Sequence, residues 1–245
     1  HHGIGRRQRQ MCIRDSFIAL DLKSNTQNIT LVKKLYRHVY GFKVGYRSFY
    51  NSRLKELISE IKRSKCKLFL DLKLHDIPST VSSAIDSLSN INPDFLTLHI
   101  SGGKEMMKAA VNSIKKNKLK TKILGVTLLT SLDGKDSEKI YKEGSTKKLV
   151  KKFTEIANNV NIHGLICSGD DLRVLEKFNK LIKITPGVKM FARNDDQKRV
   201  TFAHNALQDG ASFVVIGREL IESKKPLELL KKYGEQYKNK NLWTK

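Results

Sequence analysis

Cysteine is scarce in this sequence. Cys12, Cys66 and Cys167 are the three present; they form no C-x-x-C pair, and an odd count gives no disulfide framework. A reducing compartment suits such a chain, and Cys66 and Cys167, at the edges of strand-like runs, read as small buried hydrophobes. Long apolar runs are missing too. None approaches the ~20 residues a membrane helix needs, and the stretch from His1 to Ser16 is polar and arginine-rich, unlike the apolar segment of a secretory signal. The expectation is a cytoplasmic protein with no membrane partner. No Pro- or Gly-rich linker divides the 245 residues, which suits one domain, and an α/β barrel of about 250 residues is commonly one.

Acidic residues are outnumbered, 24 against 47 lysines and arginines, for a formal charge of +23. That balance raises nucleic acid as a partner. Its distribution argues against a specific one: lysines such as Lys33, Lys34, Lys115, Lys116, Lys147, Lys148, Lys231 and Lys232 are scattered, without an aromatic-interleaved stripe or a helix-turn-helix signature. Weak attraction to polyanions is what remains. Residues 1–16 show neither helical nor strand periodicity. They read as a foreign head, a remnant of cloning or sequence assembly, ahead of one catalytic domain over 17–245; were they a functional basic arm, deleting them would cost activity.

Eight short β-branched or aromatic runs recur, at Phe17–Asp21, Phe42–Gly45, Leu68–Leu72, Phe95–His99, Ile123–Thr127, Gly164–Cys167, Ile182–Thr185 and Phe213–Gly217. Between them lie stretches with helical apolar spacing, such as Leu31, Leu35, Val39, then Leu54, Leu57, Ile58, Ile61, then Leu149, Phe153, Ile156, Val160. Repeated β-α units imply a parallel sheet, and eight of them fit a closed (β/α)8 TIM barrel better than an open sheet. The long interval from Thr127 to Gly164 reads as an active-site loop followed by helix, and Lys224 to Lys245 as a final helix packed on the barrel or a frayed tail.

The ends of these runs are polar. Asp21 closes the first, Lys43 lies near the end of the second, Asp71 and Lys73 end the third, His99 the fourth and Thr127 the fifth. In a barrel the carboxyl ends of the strands converge on one mouth. Asp71 and Lys73, two apart, project to the same side of a strand, and Asp76 falls in the loop beyond. A lysine between two carboxylates stays protonated, because each negative neighbour favours the cation. Pro186, Gly187 and Lys189 follow the seventh strand, and Gly217 and Arg218 the eighth, where barrels often bind phosphate. Glycines there let backbone N–H groups approach an anion, Arg218 offers a bidentate fork, and Gln197 could close over the same anion.

Taken together, A-L-D at Ala19–Asp21, K-V-G at Lys43–Gly45, D-L-K-x-H-D-I-P-x-T at Asp71–Thr80 and H-x-S-G-G at His99–Gly103 resemble the bacterial single-function orotidine 5'-phosphate decarboxylase family. V-T-x-L-T-S at Val126–Ser131, T-P-G at Thr185–Gly187, D-Q-x-R at Asp196–Arg199 and I-G-R at Ile216–Arg218 extend the resemblance in order and spacing. The resemblance implies cofactor-free, metal-free conversion of orotidine 5'-monophosphate to uridine 5'-monophosphate and carbon dioxide by a homodimer. It implies Lys73 as the group that stabilises and protonates the C6 carbanion, Asp71 beside the departing carboxylate, and Asp76 entering the neighbouring subunit's site. Asp21 and Lys43 would hold the ribose hydroxyls with Thr80 in support, Thr130 and Ser131 would meet the base, and Pro186, Lys189, Gln197, Gly217 and Arg218 would bind the phosphate.

Departures from the family pattern are Lys189 where arginine is usual, Ser79 for a frequent asparagine, and a poor match over Met190–Asn194. A point charge in place of a planar fork weakens phosphate affinity more than it alters the reaction. Two rivals stand beside this reading. One is a magnesium-dependent sugar-phosphate decarboxylase or aldolase sharing the D-x-K-x-x-D cluster, against which the tail through Thr80 and the Thr130–Ser131 pair speak. The other is a non-catalytic basic nucleic-acid-binding barrel, which predicts an eroded charged mouth; here every charge of the proposed centre is present.

Overall fold

The computed structural model describes residues 13–191 and 201–238. Eight parallel strands close on themselves in chain order, with β8 returning to β1. They are β1 (Ser16–Ala19), β2 (Gly41–Val44), β3 (Lys67–Leu74), β4 (Phe95–His99), β5 (Lys122–Val126), β6 (Gly164–Ile166), β7 (Ile182–Val188) and β8 (Phe213–Ile216). All eight expected strands are there. The helices are α1 (Asn25–Leu35), α2 (Tyr46–Phe49), α3 (Leu54–Arg63), α4 (Pro78–Ser87), α5 (Gly103–Lys116), α6 (Gly134–Tyr141), α7 (Thr146–Asn158), α8 (Ala203–Gln208), α9 (Arg218–Ile221) and α10 (Pro226–Lys238).

Period-two alternation sorts each strand into an outward and an inward file. Outward residues such as Ile18, Phe42, Leu68, Leu70, Leu96 and Leu98 meet the helices in one core, where Leu57, Ile61, Met107, Ala110 and Leu149 are also buried. Inward residues Phe17, Ala19, Phe69, Phe95, Leu124, Val126, Ile184 and Val215 fill the barrel itself. At its amino-terminal end Phe17 meets Tyr40, Phe69, Phe95 and Phe213 edge-on, with ring centroids 5.3–5.6 Å apart.

Three details depart from the sequence reading. The first strand begins at Ser16, whose Cα is paired with Val214, so it takes in the last residue of the stretch read as foreign; a single 3-10 turn, Ile13–Asp15, precedes it. The interval after β5 holds two helices and not one, because Asp133 and Ser145 each accept backbone N–H groups and start α6 and α7 separately. Helix and strand do not alternate throughout: between β6 and β7 the chain makes one 3-10 turn, Gly169–Asp171, and irregular turns that bury Leu172 and Leu175. Of the two readings of the C-terminal stretch, the helix is the one found over Pro226–Lys238: α10 buries Leu230 and Tyr233.

Candidate active site

The third strand brings the decisive charges to the mouth. Between Leu70 and Leu74 the β3–β4 register slips, and Lys73 takes a φ of 43°. That left-handed backbone costs a non-glycine residue about 1 kcal/mol or more. Simple alternation therefore does not deliver Lys73; a bulge does, and Thr97 of β4 secures it, its Oγ accepting the Lys73 N–H at 2.9 Å. The same hydroxyl donates to Asp71 Oδ1 at 3.0 Å. Lys73 Nζ lies 2.8 Å from Asp71 Oδ1, and Lys43 Nζ lies 3.2 Å from Oδ2.

Asp71 is 9% exposed. Burial works against its charge, but the Lys43 and Lys73 ammonium groups outweigh burial and hold the carboxyl below its ordinary value. The unit is thus an alternation of cation, anion and cation across β2 and β3. Asp21 stands beside it in the loop after β1. Gly45 makes the room: a Cβ there would lie 3.3 Å from Lys43 Nζ and 3.5 Å from Asp21 Oδ1. Behind Asp21 sits a buried polar network. Ser48 Oγ donates to Leu20 O, Asn28 Nδ2 donates to Ser48 Oγ at 2.8 Å, and Asn28 Oδ1 accepts the Leu22 N–H at 3.3 Å, so the backbone on both sides of Asp21 is fixed.

His99, at the end of β4, faces His75 with ring centroids 5.3 Å apart. Burial, then His75 and Lys73, push the His99 imidazole toward its neutral form. Tyr46 closes the β2 side by donating its hydroxyl to Leu72 O at 2.8 Å.

Across the mouth, Thr130, Ser131, Pro186 and Gly187 line one cavity of about 890 Å³ together with Ser168, Asp171 and Thr201. Gly187 has a φ of 72°, which opens the end of β7 and suits glycine. Lys189 continues the chain in register with a second segment: its N–H donates to Thr201 O at 3.0 Å and its carbonyl accepts from Ala203 at 2.9 Å. Arg218 is exposed at the first turn of α9, directly after Gly217. Glu219 beside it accepts the Met190 N–H at 2.6 Å and the Phe191 N–H at 3.3 Å.

The structure thus joins Lys43, Asp71 and Lys73 in one charged cluster with Asp21 beside it across Gly45, and sets Thr130, Ser131 and Pro186 around one cavity. Lys189, Gly217 and Arg218 stand at the ends of β7 and β8, as expected. Asp76 and Thr80 are not drawn in. Both are exposed at the start of α4, and Asp76 Oδ1 takes the N–H of the next residue, Ile77, at 2.7 Å. Gln197 lies outside the described residues.

Sequence reasoning missed Thr97 and the Asn25, Asn28 and Ser48 network. Thr97 had a signal, since it stands between Phe95 and His99 on the inward file of β4. The asparagines had none, because the bonds that tie them to Ser48 and Ser52 span 20 or more positions.

Comparison with known proteins agrees with the barrel fold. A 37% identical relative, orotidine 5'-phosphate decarboxylase from Erythrobacter litoralis, aligns over 86% of this chain and 93% of its own length. One from Wolbachia sp. subsp. Brugia malayi is 35% identical over 85% and 92%. Among solved structures, orotidine 5'-phosphate decarboxylase from Lactobacillus acidophilus superposes with a TM-score of 0.75 at 26% identity, covering 91% of this chain and 99% of that one. An uncharacterized conserved protein from Geobacillus kaustophilus shares the fold, with a TM-score of 0.76 at 24% identity, covering 91% and 99%. The family model that spans residues 16–233 takes in every element from β1 into α10, and by it the chain belongs to the orotidine 5'-phosphate decarboxylase / HUMPS family.

Proposed function

We propose that this protein is a carboxy-lyase that converts orotidine 5'-monophosphate to uridine 5'-monophosphate and carbon dioxide, the last step of de novo pyrimidine synthesis. The observation that carries the reading is the Lys43–Asp71–Lys73 cluster, in a chain whose curated relatives bear that enzyme's name.

Breaking the C6–carboxylate bond releases carbon dioxide and leaves its electron pair on an sp2 carbon with no ring position to receive it. Such a localised anion needs a cation fixed beforehand, since a preorganised charge costs no reorganisation at the moment of reaction. Lys73 Nζ supplies it and then gives a proton to C6; the amine left behind regains its proton from water. Asp71 and Thr97 hold Lys73 in place, and Asp71 lies beside the departing carboxylate. Asp21 and Lys43 meet the ribose hydroxyls with Thr80 in support, Thr130 and Ser131 the base, and Pro186, Lys189, Gln197, Gly217 and Arg218 the phosphate. Phosphate contacts far from C6 supply binding energy that orders the reacting end. The chemistry assigned to Lys73 calls for no cofactor.

The active unit is a homodimer in which Asp76 serves the neighbouring site. In support, Asp76 is exposed and Ile77 beside it is 64% exposed, an apolar side chain for a partner to cover. No helix among the described residues is long and apolar enough to cross a membrane, and the cytoplasm, where nucleotide precursors are made, is the compartment proposed.

The test is the absorbance change of orotidine 5'-monophosphate with EDTA-treated protein beside Lys73→Ala. Turnover by the native chain alone supports the reading. No turnover, even with residues 1–12 removed, so that β1 and the turn before it stay intact, and magnesium restored, overturns it. Mixing inactive Lys73→Ala with inactive Asp76→Ala tests the dimer: hybrid dimers regain one intact site only if Asp76 acts across the interface.

A further inference from the structure

From the Glu219 carboxylate we infer a positioning residue for the substrate's phosphate, one that locks the end of β7 to the start of α9. This inference rests on the phosphate reading above. Glu219 is the second residue of α9, next to Arg218. Its Oε2 accepts the Met190 N–H at 2.6 Å and its Oε1 the Phe191 N–H at 3.3 Å. The two bonds cross from the strand-eight loop to the strand-seven loop, the two segments that carry Gly217 and Arg218 on one side and Gly187 and Lys189 on the other.

The remaining contacts of the segment show why this carboxylate matters. The Lys189 N–H is already committed to Thr201 O at 3.0 Å, so the backbone N–H groups of three successive residues, 189 to 191, are all held. The Met190 side chain is fully buried, and the Phe191 ring meets Tyr233 of α10 edge-on at 5.8 Å. Glu219 is the charged member of this set. Hydrogen bonds to a carboxylate are shorter and stronger than neutral ones, so it fixes the separation between Lys189 and Arg218, the two cations assigned to one phosphate. An anion held by two separated cations loses affinity when the spacing drifts, and the loss falls on phosphorylated substrate alone.

Steady-state kinetics on orotidine 5'-monophosphate and on orotidine, which lacks the phosphate, test this with Glu219→Ala, Glu219→Gln and Arg218→Ala. The expected result is a fall of about tenfold or more in kcat/KM for the nucleotide with Glu219→Ala, carried mainly by KM, and no change for the nucleoside. Glu219→Gln keeps one oxygen acceptor and falls less. If Glu219→Ala does not fold, Glu219→Gln carries the test with the same contrast between substrates. Equal losses on both substrates would make Glu219 merely structural and overturn the inference. So would an unchanged nucleotide kcat/KM in both Glu219 variants while Arg218→Ala raises KM. No effect of Arg218→Ala sinks the phosphate reading itself, and this inference with it.

Discussion

At the floor of the barrel, β1, β3, β4 and β8 contribute Phe17, Phe69, Phe95 and Phe213, whose rings gather around Phe17. Two residues further along β3 and β4, the same inward file carries Asp71 and Thr97; beyond them His99 continues the file on β4, while on β3 the bulge presents Lys73. The backbone is continuous, yet the lower layer is apolar and the upper layer is a hydrogen-bonded set of charges. The lower layer gains by excluding water from large rings, while the upper layer holds Asp71 charged only because two ammonium groups and a hydroxyl surround it. The difference teaches that in this fold stability and chemistry are separated along the strand direction, so substitutions a few ångströms apart should fail in different assays.

The largest expected effect tests the upper layer. Lys73→Ala should lower kcat by about 10⁴-fold or more, because the proposed mechanism makes one group both electrostatic stabiliser and proton donor, while moving the urea midpoint far less than Phe17→Ala does. Phe17→Ala should cost about 3–5 kcal/mol of unfolding free energy and leave kcat within a few-fold at temperatures where it stays folded. If Phe17→Ala abolished kcat in the folded state, the two layers would not be separable.

Thr97→Val sharpens the boundary, since Thr97 sits between the layers. Leaving the Lys73 N–H without its acceptor should cost about 1–3 kcal/mol, and the released bulge should lower kcat as well; urea unfolding and kinetics on the same sample read both. A smaller effect isolates strain. Lys73→Gly and Lys73→Ala both lose the ammonium, but only glycine accepts a φ of 43° without cost. The glycine variant should be the more stable by about 1 kcal/mol, and equal stabilities would show that the backbone relaxes once the lysine is gone.

The pH dependence separates the layers last. Asp71 is held below its ordinary value, against the pull of burial, by Lys43 and Lys73. Its stabilising contribution is therefore complete above the unfolded carboxylate pKa of about 4 and is lost as pH falls through the lower folded value. Asp71→Asn should flatten that part of the acid limb in urea midpoints, whereas Phe17→Ala should shift the whole curve without changing its shape.

Much of this was legible in the residues. Eight strands followed from runs of β-branched and aromatic residues, because inward and outward files are both apolar near the floor. The charges broke those runs where the mouth begins, which is why Asp21, Lys43, Asp71 and Lys73 stood out. What failed was local. Two helix starts at Asp133 and Ser145 were merged into one helix, and the link from β6 to β7 lacks an α-helix although Leu172 and Leu175 are spaced to suggest one. In each case capping and turn bonds within a few residues outweighed apolar spacing.

The linear order of residues was enough to fix the kind of fold, the alternation of faces and the identity of the charged groups, because these depend on periods of two and 3.6 along a single segment. Tertiary structure alone decided the rest. The left-handed turn at Lys73 exists because Thr97, from the next strand, accepts its N–H. The backbone around Asp21 is fixed by Asn28 and Ser48 from different elements. Glu219 reaches back 28 residues to Phe191. Apart from the short Asn28–Leu22 bond, these contacts join segments 20 or more residues apart, and no periodicity within either segment encodes the distance between them.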